Sequence, residues 1–85
     1  MHMKNYVVIG GKWFDKVNGN TYNSAKIIDT ETGEAYYTRF AYGYGSAYMT
    51  EARNYIREEL NQDGAGIIDG GSFYLKKAEA KNGQF

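Results

Sequence analysis

Eighty-five residues with ten basic and ten acidic side chains carry a formal net charge of zero, and the chain has no cysteine and no proline. These counts exclude disulfides and zinc–thiolate sites, and they remove the basic surplus that indiscriminate nucleic-acid binding uses to displace counterions. The length is that of one domain, residues 1–85, with a small core that buries roughly 60–65% of the surface exposed on unfolding.

No apolar run approaches the roughly 18 residues of a membrane span; the longest, residues 6–9, is strand-sized. No signal-peptide apolar region opens the chain. The expectation is a cytoplasmic protein with no membrane partner. Nine tyrosines set the composition apart. Tyrosine combines large contact area with a polar tip, which suits interfaces; it also replaces leucine in a thin core, and composition alone leaves both readings open.

In chain order, residues 5–9 (NYVVI) are β-branched and aromatic, a strand signal. Gly10–Gly11 interrupts it, which predicts a bulge or a close backbone approach. Residues 12–17 continue the strand, and Asn18-Gly19 marks a hairpin. Residues 21–29 form the second strand, 30–33 (TETG) a turn, and 34–42 the third strand. A three-residue loop, Val17-Asn18-Gly19, with Gly19 left-handed, would put Val7, Ile9, Gly11 and Trp13 on the face that carries Ala25 and Ile27. Closing Asp29 against Glu34 adds Tyr36, Thr38 and Phe40 to that face. The predicted core side of the sheet is therefore Val7, Ile9, Trp13, Ala25, Ile27, Tyr36 and Phe40; a slip of one residue would expose it.

Met49, Ala52, Ile56 and Leu60 recur at helical spacing. This predicts a helix over residues 47–61, with the Ser46 hydroxyl as N-cap and Gly64 as a stop. The tail, with Ile67–Ile68, Gly70–Gly71 and the alternating run from Ser72, reads as a short hairpin or as one strand over 72–78 at the sheet edge. Residues 1–4 and 79–85 are expected to fray. The fold class is α+β: a three-stranded antiparallel sheet backed by one helix, plus one or two short C-terminal strands, βββαβ.

Catalytic signals are few. The only histidine is His2, and without cysteine or a second histidine the familiar nucleophile–base pairs and His/Cys metal sites cannot be assembled. The carboxylates fall mainly in turns or on the outer helix face. No enzymatic activity, cofactor or metal is expected. The stretch Tyr42-Gly43-Tyr44-Gly45 before the helix has two glycines that can admit an anion, but it lacks the third glycine and the βαβ context of a dinucleotide fingerprint. It reads as a chain reversal, with glycines taking positive φ and Tyr42 and Tyr44 shielding the corner.

The same register gathers Lys12, Phe14, Tyr22, Ser24, Lys26, Ile28, Tyr37 and Arg39 on the opposite sheet face. Interleaved tyrosines and cations describe protein hot spots, nucleobase stacking with phosphate neutralisation, or cross-strand pairing on a solvated face. The partner-binding candidates are Tyr22, Tyr37, Arg39, Tyr42 and Tyr44. The nucleic-acid candidates are Lys12, Lys26 and Arg39, joined by Arg53 and Arg57 on the helix. An uncovered edge strand could also pair with its own copy as a homodimer.

Two stretches, WFDKVNGNTYNSAKI and RFAYGYGSAYMTEA, resemble small proteins encoded by bacteriophages and prophages. The resemblance covers most of residues 13–60 and lies in the aromatic–NGN–Tyr hairpin and the Tyr-Gly-Tyr-Gly corner. It implies a phage protein in the bacterial cytoplasm. Anti-CRISPR proteins are among the phage proteins of this size, many of which bind and block a host complex without catalysis. The implied function is therefore non-enzymatic protein binding through a tyrosine-rich surface, as an inhibitor of host defence. The chain departs from strongly acidic DNA mimics, its net charge being zero. In architecture it is also similar to three-strand DNA-binding domains whose open sheet face enters the major groove, which supports the alternative of a nucleic-acid-binding module.

Overall fold

The computed structural model describes residues 4–83 and 85. His2 lies outside the described residues. The fold is α+β, as expected, but the sheet has five strands and is mixed, and there are two helices. The strands are β1 (Asn5–Asp15), β2 (Asn20–Asp29), β3 (Ala35–Tyr37), β4 (Ala41–Tyr42) and β5 (Gly66–Tyr74); the helices are α1 (Ala47–Glu58) and α2 (Lys77–Lys81). The sheet order is β3-β2-β1-β5, with β4 extending β3 along the same edge of β2. Strand β5 runs parallel to β1. Parallel pairing needs a crossover, and α1 supplies it by carrying the chain from the β4 edge to the far side of β1. None of the described helices is long and apolar enough to cross a membrane.

The first hairpin is one residue wider than the spacing predicts. Asp15 pairs with Asn20, leaving a four-residue loop with Gly19 left-handed at φ 70°. The Asp15 carboxylate explains the extra residue: it accepts hydrogen bonds from the Val17 amide at 3.0 Å and the Asn18 side-chain amide at 2.8 Å. The added residue turns every β1 side chain over relative to β2. Val8 stands opposite Ile27 and Gly10 opposite Ala25. The second hairpin keeps its expected register, with Ile27 opposite Tyr36 and the Asp29 amide bonded to the Glu34 carbonyl.

The buried core is therefore Tyr6, Val8, Ala25 and Ile27 from the sheet with Tyr48, Ala52 and Ile56 from α1. Val7, Ile9 and Trp13, predicted to face the helix, lie on the reverse side. Phe40 joins them for a second reason. Lys26 pairs with Tyr37, but Asn23 pairs with Ala41, so four steps along one edge match three along β2. The break falls at Thr38, whose hydroxyl accepts the Ala25 amide at 2.8 Å in place of a backbone carbonyl. The extra residue rotates Phe40 to the reverse face.

Gly10–Gly11 is a close approach on both sides. A Cβ on Gly10 would lie 2.7 Å from the Tyr48 ring, and one on Gly11 would lie 2.6 Å from Phe85. The bulge sits opposite, on β5, where Val8 pairs with Asp69 but Gly10 with Ser72. Helix α1 starts at the expected residue, but Ser46 makes no side-chain cap; the Ala47 amide bonds the Tyr44 carbonyl instead. The helix stops short of residue 61, because Asn61 takes a left-handed φ of 53° and the Gln62 amide returns to the Ile56 carbonyl. Asparagine tolerates that conformation better than most residues.

The tail departs most from expectation. Residues 66–74 form one strand, neither a hairpin nor a strand over 72–78, and of the residues expected to fray, 79–83 and 85 fold back over the reverse face. Ser24 donates to the Ala80 carbonyl at 2.7 Å. Lys26 donates to the main-chain oxygen of Phe85 at 2.8 Å. Lys77 lies 5.0 Å above the Trp13 ring. Lys4, at the other expected frayed end, is ion-paired with Asp29 at 2.9 Å.

Candidate interaction surface

The tail crosses the middle of the reverse face and leaves its two ends open. At the hairpin end, five rings form a continuous ladder. Tyr22 stacks on Phe40, with centroids 5.4 Å apart and an interplanar angle of 14°. Trp13 leans on Tyr22 at 5.7 Å, Tyr42 meets Tyr22 edge-on at 5.8 Å, and Tyr44 meets Tyr42 edge-on at 5.2 Å. Both geometries are those the ring quadrupole favours. Cross-strand pairing supplies the inner rungs, since Trp13, Tyr22 and Tyr42 are register partners across β1, β2 and β4.

The outer rungs depend on the Tyr-Gly-Tyr-Gly corner. Gly43 lies where a Cβ would fall 2.7 Å from the Ala47 methyl, and its carbonyl accepts from the buried Asn23 amide at 3.0 Å. Gly45 takes a φ of 59°. The corner is a chain reversal, as expected, and it holds Tyr42 and Tyr44 outward, 57% and 54% exposed. The Tyr44 hydroxyl beside it, and then partial burial, keep the Tyr42 phenol above its ordinary value.

Two of the predicted partner contacts stand apart from the ladder. Tyr37 meets Phe85 edge-on at 6.3 Å and stays 44% exposed. Arg39 opens on a groove of about 530 Å³ beside α1, lined also by Glu51, Asn54, Tyr55, Glu58 and Glu59. The cations proposed for phosphate contact are not gathered. Lys26 is taken by Phe85. Lys12, turned over by the wider loop, sits on the α1 side, 5.7 Å from the Tyr48 ring and 5.9 Å from the Tyr74 ring. Arg53 and Arg57 line a separate hollow with Gln62 and Asp63, and Arg57 also bonds Asn54 at 3.0 Å.

Trp13 and Phe40 were missed as surface residues because the sequence register assigned them to the core. Lys77 was missed because nothing in the sequence places the tail across β1. The described carboxylates form no group able to hold a metal ion. Known protein families, curated proteins and solved structures yield no match to this chain.

Proposed function

We propose that this is a non-catalytic binding protein of phage origin that docks on a host or phage protein through the aromatic ladder, in the manner of an inhibitor of host defence. The observation that carries the reading is the ladder itself, a contiguous aromatic surface with two half-exposed tyrosines at its outer end. Exposed contiguous apolar patches mark interaction sites, and tyrosine and tryptophan dominate interface hot spots. The rings are braced by one another and by β-pairing, so little side-chain entropy is lost on contact. The resemblance of the two stretches that build the ladder to phage proteins supports a bacterial setting.

The test is affinity capture from host lysate with the native chain and with a Tyr42→Ser/Tyr44→Ser variant. The expected result is a stoichiometric protein retained by the first and lost by the second. Equal recovery by both, or no stoichiometric protein, ends this reading. Nucleobases could stack on the same rings, and Lys77 over Trp13 favours that second reading. The scattered positions of Lys12, Lys26 and Arg39 count against it. Titration of labelled DNA and RNA at low salt separates the two, because steeply salt-dependent binding lost on Lys77→Ala would support nucleic acid.

A further inference from the structure

We propose that β5 pairs antiparallel with β5 of a second copy of this chain, about a two-fold axis that passes between Gly70 and Gly71. This surface is distinct from the aromatic ladder, and the inference does not rest on the function proposed above.

The two edges of the sheet differ in kind. The β3/β4 edge is made of a three-residue and a two-residue strand, and very short strands blunt an edge against pairing. Strand β5 forms the other edge, nine residues long, with no further strand beside it among the described residues. It has no proline and no lysine, the usual blocking residues. Its open backbone groups follow from alternation. The amides of Gly66 and Leu75 point inward, to the Lys4 and Lys12 carbonyls. The N–H and C=O groups of Ile67, Asp69, Ser72 and Tyr74 therefore point outward, the bulge at Gly70–Gly71 shifting the alternation by one residue between the two halves.

These outward positions are self-complementary. With the two-fold axis between the glycines, Ile67 meets Tyr74 of the copy and Asp69 meets Ser72 of the copy, each as a hydrogen-bonded pair. The intervening pair is Ile68 against Phe73 of the copy, at the closer non-hydrogen-bonded spacing. Both side chains are on the reverse face and more than half exposed, Ile68 at 52% and Phe73 at 56%. The register makes this apolar pair twice, once on each side of the axis, as an isologous contact requires. Behind it, Val7, Ile9 and Ile28 extend a partly exposed aliphatic strip on the half of the face that the tail leaves open. A net charge of zero means that two copies do not repel.

The chain has no cysteine, so the register can be read by cross-linking. An Ile68→Cys/Phe73→Cys variant should oxidise to a dimer joined by two disulfides. Within one chain these positions are five residues apart on a strand, too far to bridge. Ile68→Cys alone should not link. In parallel, sedimentation equilibrium of the native chain should show a dimer at rising concentration, with amide exchange slowing at Ile67, Asp69, Ser72 and Tyr74 and unchanged at Gly66 and Leu75. A native chain that stays monomeric into the millimolar range overturns the proposal, including the case in which the edge is reserved for a strand of another protein. A dimer whose double-cysteine variant does not cross-link, or whose outward amides gain no protection, overturns it as well.

Discussion

Under α1 the sheet meets a continuous apolar surface: Val8, Ala25 and Ile27 are fully buried against Ala52 and Ile56. On the opposite side, α2 and Phe85 reach the sheet through one hydroxyl, one ammonium, a few ring contacts and the small buried side chain of Ala80. The first arrangement removes apolar area from water, and stability follows area. The second orders a strap with polar anchors, each worth about 0.5–1.5 kcal/mol net. The α1 face therefore carries the larger share of the buried apolar area, and the tail decides which parts of the other face remain accessible.

The strongest test of that contrast is truncation of the core. Ile27→Ala or Ile56→Ala should cost about 2–5 kcal/mol in urea unfolding, through lost transfer energy and a residual cavity. The adjacent glycines give a sharper comparison. Gly10→Val must displace the Tyr48 ring within the packed core, at a cost of about 1–3 kcal/mol. Gly11→Val meets the Phe85 ring first, so it should cost less than Gly10→Val and show itself as a shift of the Phe85 and Tyr37 ring signals. If Gly11→Val proves as damaging as Gly10→Val, the tail is part of the core and not a strap. Ser24→Ala should remove about 1 kcal/mol and speed exchange of amides in α2 without affecting those in α1.

Acid should act through the turns. The Lys4 ammonium, followed by the Glu31 amide, holds the Asp29 carboxyl below its ordinary value. The lowered folded value means that this stabilisation is complete above the ordinary aspartate value of about 3.9 and is lost as pH falls through the folded one. The Gly71 amide and the Tyr48 hydroxyl lower Asp69 in the same sense. Tm should therefore fall on acidification, and Asp29→Asn should have a lower Tm at neutral pH and a shallower acid slope. The smallest effect is expected at the ladder's outer end, where Tyr42→Ser/Tyr44→Ser should change stability by about 0.5 kcal/mol or less per site while abolishing capture of a partner. A large loss of stability there would make the ladder a structural cluster.

The legible parts of the fold were those set by local chemistry. Asn18-Gly19 and Gly33 marked both hairpins, and Met49, Ala52 and Ile56 marked the helix and its inward face. The pairing of Ile27 with Tyr36 followed from a turn whose length could be counted. Register in the first hairpin was illegible because Asp15 widens its loop by side-chain hydrogen bonds, and one residue reverses a whole strand. The same holds at Thr38, where a hydroxyl takes the place of a backbone carbonyl and turns Phe40 outward. Of the rings in the ladder, Tyr22 was placed on this face by the register of the second strand, and Tyr42 and Tyr44 were singled out at the glycine corner. Trp13 and Phe40 escaped because side-chain type does not distinguish a buried ring from a stacked surface ring. Lys26 was drawn away by Phe85, a partner remote in sequence, and Arg39 opens on the groove beside α1.

By itself the sequence determined the first two strands, the long helix and the turns between them, and that tyrosine is unusually frequent, because these depend on neighbours a few residues apart. Only the tertiary structure decided which strand faces meet, that β5 lies parallel to β1 as an open edge, and that the tail divides the reverse face. Those outcomes rest on pairings between residues far apart in the chain, and a single inserted residue in a loop is enough to exchange one face for the other.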